Sequence, residues 1–281
     1  MAAKVALINM KGGVGKSTLT ANLAWQFACY TNWAKKVLVV DLDPQFNSSQ
    51  YLLGPKKYQS LMDQGKRTIW DIFEQGVSTP AGGKSPIVQP ADVIVNVVKF
   101  TSKGRIDLIP SRLELAWSLR NPAQKERKLA NLIKKVEADY DLILVDCSPT
   151  ESMLTTAAYF TCDHVLVPVI PAYLSSIGLP LLTKSISEFE EQNDGEVVNV
   201  VGIVFNATDN YAPEEQKAKQ EVHQFASTEG IPVFDSEVKY SRSYAKGARE
   251  GKPIFRTSYA RTTVASEFHM FAREFAKKVG L

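Results

Sequence analysis

Lys11-Gly12-Gly13-Val14-Gly15-Lys16-Ser17-Thr18 stands between a short β-branched run, residues 5–8, and a stretch of helical apolar spacing that opens at Leu19. Each residue type in it has a physical task. Glycines let the backbone curl, so that successive N–H groups point inward at one anion. A helix beginning near Lys16 adds its free N–H groups and the positive end of its dipole to the same anion. Lys16 supplies a point charge for the β- and γ-phosphates, and the Ser17 hydroxyl is a hard oxygen ligand for Mg²⁺. Thr18 is placed to bond the α-phosphate. Strand, loop and helix come in the order that phosphate binding needs, with Gly12, Gly13, Val14 and Gly15 as the backbone cradle.

Outward from this loop the chain alternates. Short β-branched runs recur at 5–8, 37–40, 106–109, 142–145, 164–169 and 197–205. Longer segments with helical spacing lie between most of them, at 19–30, 123–138, 177–191 and 214–226. Apolar runs without in/out alternation suit strands covered on both faces, and intervening helices suit right-handed parallel crossovers. The pattern predicts an α/β fold: a doubly wound, mostly parallel sheet with helices on both faces. Residues 53–104 fit it less well. They carry GPKK, QGK and PAGGKSP, one helical patch at 68–75 and a possible strand at 93–98. They read as a loop-rich excursion from a single domain spanning 1–281.

Composition excludes more than it assigns. Thirty-three Lys and Arg against 30 Asp and Glu leave +3, which by itself demands no nucleic acid. Cys29, Cys147 and Cys162 form no C-x-x-C pair and no zinc spacing, and an odd count argues against a disulfide framework. Apolar runs such as 37–40 and 165–169 are of strand length, far short of a bilayer span. The expectation is a cytoplasmic protein with reduced thiols.

The second lysine at the head of the loop, Lys11, makes KGGVGKST resemble the deviant Walker A signature of the ParA/MinD family of ATPases. VLVVDLDPQFNSS (37–49) is similar to that family's second motif, YDLILVDCSP (140–149) to its Walker B segment, and HVLVPVIPAYLSSIGL (164–179) to the strand and loop that follow. IDLIPSRLEL (106–115) matches ParA-like members. The resemblance implies ATP and Mg²⁺ as cofactors and an ATP-dependent homodimer. Lys11 would reach the partner's phosphates like an arginine finger. Asp43 would orient the attacking water, and Asp41 would support that water or the magnesium shell. Asp146, at the end of its strand, would hold Mg²⁺ through water. Asn206, ending VVGIVFN, stands where members often place an Asn against adenine, and an Asx turn at a strand end is an equal reading. In the later segment Lys239 stands where many members have proline.

Charge is distributed unevenly. From Lys239 to the C-terminus there are ten basic residues against three acidic ones, so the rest of the chain carries about −4. Such asymmetry suits a phosphate-backbone face, with Lys239, Arg242, Lys246, Arg249, Lys252 and Arg256 as the DNA-binding candidates. The resemblance adds non-specific DNA, a nucleoid location and a ParB-like activator as partners. Val264, Phe268, Phe271, Phe275 and Val279 form one helical stripe, read as core packing, with a MinD-like membrane helix as the alternative. Relatives with other chemistry fit less well. A nitrogenase iron protein would carry a cluster cysteine where Met153 stands, and a bacterial tyrosine kinase would end in clustered tyrosines rather than FAKKVGL.

Overall fold

The computed structural model describes residues 1–76, 87–122, 124–172, 175–209 and 212–281, without the side chains of 175–177. Eight strands form one sheet: β1 (Ala3–Leu7), β2 (Lys36–Leu42), β3 (Val95–Lys99), β4 (Arg105–Ile109), β5 (Leu142–Cys147), β6 (His164–Val169), β7 (Asn199–Thr208) and β8 (Val238–Lys239). Their spatial order is β3-β4-β2-β5-β1-β6-β7-β8, and every pairing is parallel except β3 with β4. The helices are α1 (Lys16–Cys29), α2 (Asn47–Leu53), α3 (Pro55–Asp63), α4 (Ile69–Glu74), α5 (Pro90–Val93) and α6 (Leu115–Ser118), then α7 (Lys128–Ile133), α8 (Met153–Thr161), α9 (Ser175–Gln192), α10 (Pro213–Thr228), α11 (Arg242–Glu250) and α12 (Thr262–Val279).

The two faces of the sheet own separate cores because side chains alternate along a strand. Val5 and Leu7 of β1, Val37 and Val39 of β2, and Leu142 and Leu144 of β5 pack with α1, α2 and α12. Ala6, Leu38, Val40, Ile143 and Val145 face the other way, against α4, α7, α8, α9 and α10. Both faces are apolar, so the strands read as unbroken hydrophobic runs. The expected doubly wound sheet is what forms, and β1 lies at its centre between β5 and β6, so the loop leaving β1 opens over the middle of the sheet.

Several local expectations are corrected. Residues 123–138, read as one helix, hold only α7 and a 3₁₀ turn at Glu137–Asp139, while residue 123 lies outside the described residues. The Gly54-Pro55 pair, read as loop, starts α3: proline at the first helical turn needs no N–H partner there. The possible strand at 93–98 forms, as β3, and what is corrected is that it rejoins the sheet as the antiparallel edge, while PAGGKSP lies outside the described residues. The helical patch at 68–75 holds, as α4, closed by a capping box between Thr68 and Asp71. In α12, Phe268, Phe271 and Phe275 are fully buried against the sheet, so the stripe is core and not a lipid-facing surface. None of the described helices is long and apolar enough to cross a membrane.

Candidate active site

Residues 11–18 run from the end of β1 into α1 around two left-handed glycines, Gly13 and Gly15. Gly15 has φ +91° and caps α1, and a Cβ there would collide with the Asn206 amide. Glycine is needed on both counts. The loop is anchored by Asn9, whose Nδ2 donates to the Pro168 carbonyl (2.8 Å) while its Oδ1 accepts from the Lys11 N–H (2.8 Å). These bonds tie the end of β1 to the end of β6.

The two lysines differ sharply. Lys16 is buried, and its ammonium donates to the carbonyls of Asn9 (3.1 Å) and Lys11 (3.4 Å). Burial lowers its pKa, partly offset by Asp146 and Asp43 nearby. The Lys11 side chain is half-buried and its ammonium has no partner among the described residues.

A cleft of about 680 Å³ opens over this loop, lined by residues 12–18, Asp43, Gln45, Asn47, Gln50, Tyr51, Pro55, Pro149, Ala248 and Arg249. Asp43 holds its loop by accepting the Gln45 N–H on Oδ1 (2.9 Å). Phe46, at the start of α2, takes a left-handed φ of +46°, strained for a bulky residue, and its ring stacks on Tyr58 at 5.1 Å. Asp41 lies behind the cleft rather than in it. Its Oδ2 accepts both the N–H (2.7 Å) and the hydroxyl (2.6 Å) of Ser49, and that hydroxyl accepts the Ser111 N–H (2.9 Å). Its Oδ1 accepts the Asp43 N–H (3.3 Å), so Asp41 is tied both to α2 and to the aspartate at the cleft wall. Burial and the neighbouring Asp146 push its pKa well up.

Asp146 is fully buried beneath Ser17. Its Oδ2 accepts the Ser48 hydroxyl (2.6 Å), while Oδ1 is buried without a hydrogen-bond partner among the described residues. Burial raises its pKa to about 6, with the hydroxyls of Ser17 and Ser48 pulling the other way. An orphaned carboxylate oxygen under a serine hydroxyl fits a hard divalent cation. The described residues contain no cluster of three or more His, Cys, Asp or Glu, so Mg²⁺ here would complete its shell with waters and phosphate oxygens.

The remaining expected residues separate. Asn206 donates Nδ2 to the Val14 carbonyl (2.7 Å), bracing the loop. It also lines a second cleft of about 340 Å³ with Ile170, Lys239, Tyr244 and Arg249. Of the basic candidates, Lys239 pairs with Glu267 (2.7 Å), and Lys246 and Lys252 both approach Glu250 (3.5 and 3.8 Å). Arg256 lies over the rings of Trp25 and Phe100. Arg242 and Lys246 line a further pocket of about 590 Å³ with Arg249 and Arg261. Sequence reasoning missed Gln45, Asn47, Gln50 and Tyr51, although all follow Asp43 closely. It also missed that Arg249 faces the loop, for which no local signal existed.

Fold and site together define a P-loop nucleotide-binding protein built on a parallel α/β sheet. A family model for the AAA domain AAA_31 matches residues 2–198, and the chain belongs to that family, as a ParA/MinD-like ATPase. An uncharacterised protein of Methanocaldococcus jannaschii is 30% identical, over 90% of each chain. The chromosome-partitioning ATPase Soj of Treponema pallidum is 26% identical over 100% of this chain and 99% of its own. Among solved structures, the cobyrinic acid a,c-diamide synthase of Mycobacterium smegmatis with bound ADP and magnesium superposes with a TM-score of 0.73 at 21% identity. That match covers 100% of this chain and 97% of the other, and at such identity it shows a common fold.

Proposed function

We propose that this chain is a ParA-like dimer switch that uses DNA as its track. In this reading residues 1–281 act as one ATPase domain, and the ATP-bound dimer binds DNA without sequence preference, in the cytoplasm on the nucleoid. It segregates or positions a plasmid, chromosome or other cargo, and a ParB-like partner stimulates its slow hydrolysis. The observation that carries the reading is the Lys11 ammonium, poised at the phosphate loop with no partner among the described residues. A charge held there without a partner suits a neighbour's phosphates, where negative charge develops in the transition state. The likeness to the partitioning ATPase of Treponema pallidum supports it.

The chain's groups divide the work. Gly12 to Thr18 bind the phosphates through backbone N–H groups, and Lys16 leaves its two carbonyl partners for the β- and γ-oxygens. Asp43, at the cleft wall, orients the attacking water; phosphoryl transfer needs chiefly positioning and charge stabilisation. Ser17 and Asp146 would hold Mg²⁺, which supplies charge neutralisation on the phosphates. Burial of Phe268, Phe271 and Phe275 speaks against the α12 stripe as the anchor of the MinD-like alternative.

The test is fluorescence anisotropy on random-sequence duplex DNA, with ATP or ADP, across a salt series. Binding is expected only with ATP, and log K should fall steeply with log salt, because two basic tails in one dimer release about twice the counterions of one. Equal binding in both nucleotide states would remove the switch. Binding to anionic vesicles in place of DNA would favour the membrane reading.

A further inference from the structure

Arg249 sits at a junction. The phosphate-loop cleft and the Asn206 cleft share only Gly13, Gly15, Thr18 and Arg249 among their lining residues. With Asn206 read as the residue against the base, the shared rim is where the phosphate cradle passes into the base side of the site. Thr18, which the loop's sequence puts at the α-phosphate, and Arg249 both lie on that rim.

The arginine has no acid partner among the described residues, although acids are close at hand. Glu250 is taken by Lys246 and Lys252, and Glu267 by Lys239. Its carrier is firmly seated. A Cβ on Gly247 would come within 2.6 Å of the Lys252 carbonyl and 2.8 Å of the Tyr51 hydroxyl, so α11 lies on α2 at a distance only glycine permits. The Tyr51 hydroxyl donates to the Lys252 carbonyl (3.1 Å) and accepts from Asn22 Nδ2 (3.0 Å). The same Asn22 amide donates to the Thr18 carbonyl (2.8 Å), and Asn22 Oδ1 accepts the Ile254 N–H (2.8 Å). One buried network thus holds Thr18 and the end of α11 in fixed relation.

We propose that Arg249 is a nucleotide-binding residue whose guanidinium pairs with the α-phosphate, not a contact to the DNA backbone. The proposal rests on the reading of residues 11–18 as an ATP site. A planar fork of donors matches phosphate oxygens bidentately, and a charge-assisted pair of this kind is roughly twice as strong as a neutral hydrogen bond. Contact at the α-phosphate serves ADP and ATP alike, so Arg249 sets affinity for both while Lys11 and Asp43 distinguish them.

Calorimetric titration of the full chain with ADP and with a non-hydrolysable ATP analogue, with Mg²⁺, at fixed salt and without DNA, tests this. Arg249→Ala should weaken both nucleotides about tenfold or more. Arg249→Lys should recover part of the loss, keeping the charge without the fork. Arg273→Ala removes the same charge from the exposed face of α12 and should change neither affinity. Unchanged affinities in Arg249→Ala would overturn the proposal, as would a loss confined to the ATP analogue or an equal loss in Arg273→Ala. Lys16→Ala separates the two levels. If it binds as wild type does, or if wild type binds neither nucleotide, the ATP-site reading falls and takes this one with it. If wild type binds and Lys16→Ala does not, the site stands whatever Arg249 does.

Discussion

Lys11 and Lys16 are five residues apart and chemically identical, yet the fold gives them opposite surroundings. Lys16 is drawn inside, its ammonium capping two backbone carbonyls, while the Lys11 side chain is left half-buried, its ammonium without a partner among the described residues. The loss of each should therefore look different. Lys11→Ala should leave nucleotide affinity of the monomer within about twofold, but lower turnover by about 10³, the scale of a missing trans-acting cation. Calorimetry and phosphate-release assays on one preparation would show the split, and normal hydrolysis per subunit would make Lys11 an ordinary loop lysine. Both lysines were legible in the sequence because the loop is contiguous. Asn206 was legible only as a polar strand end. That its amide braces the Val14 carbonyl depends on β7 lying beside the loop, 192 residues away.

The final helix shows what an element's own period can say. Val264, Phe268, Phe271, Phe275 and Val279 share one face, and that spacing suits a core or a lipid surface equally. Burial decides for the core: Phe271 packs edge-on and tilted against Phe234, Phe268 and Phe275. Phe271→Ala should destabilise the fold by about 3–5 kcal/mol, the usual cost of removing a buried aromatic ring. Urea unfolding would measure it, and a change under about 1 kcal/mol would mean the ring is not part of a packed core. At this scale the strands were read well, since β-branched runs covered on both faces carry their own signature. The helices near residues 55–63 and 128–133 were misjudged because both are short, and their ends are set by Gly54-Pro55 and by contacts of Leu129, Leu132 and Ile133 rather than by a long periodic face.

For the whole molecule the question is assembly. If Lys11 bridges two subunits through ATP, a variant that binds but cannot hydrolyse should accumulate as a dimer. Asp43 lines the cleft without holding Lys16 or the glycines, so Asp43→Ala should keep the phosphate cradle and lose the water-orienting carboxylate. Size-exclusion chromatography with ATP and Mg²⁺ should then give a persistent dimer peak, and with ADP a monomer. A monomer in both states would argue against the dimer switch.

By itself the sequence determined the phosphate loop, the family and the parallel sheet, because each is written in contiguous residues: a glycine pattern, four ordered motifs, and apolar runs of strand length. Tertiary structure alone decided that Arg249 faces the phosphate loop, that Asp41 links Ser49 of α2 to the Asp43 backbone, and that residues 95–99 close the sheet edge. The physical reason is separation along the chain. Asn22, Tyr51 and the Lys252 carbonyl meet only because α1, α2 and the end of α11 pack on one face of the sheet. A charge pattern can count arginines, but the cleft an arginine lines is set by the backbone close approach at Gly247, which no local periodicity records.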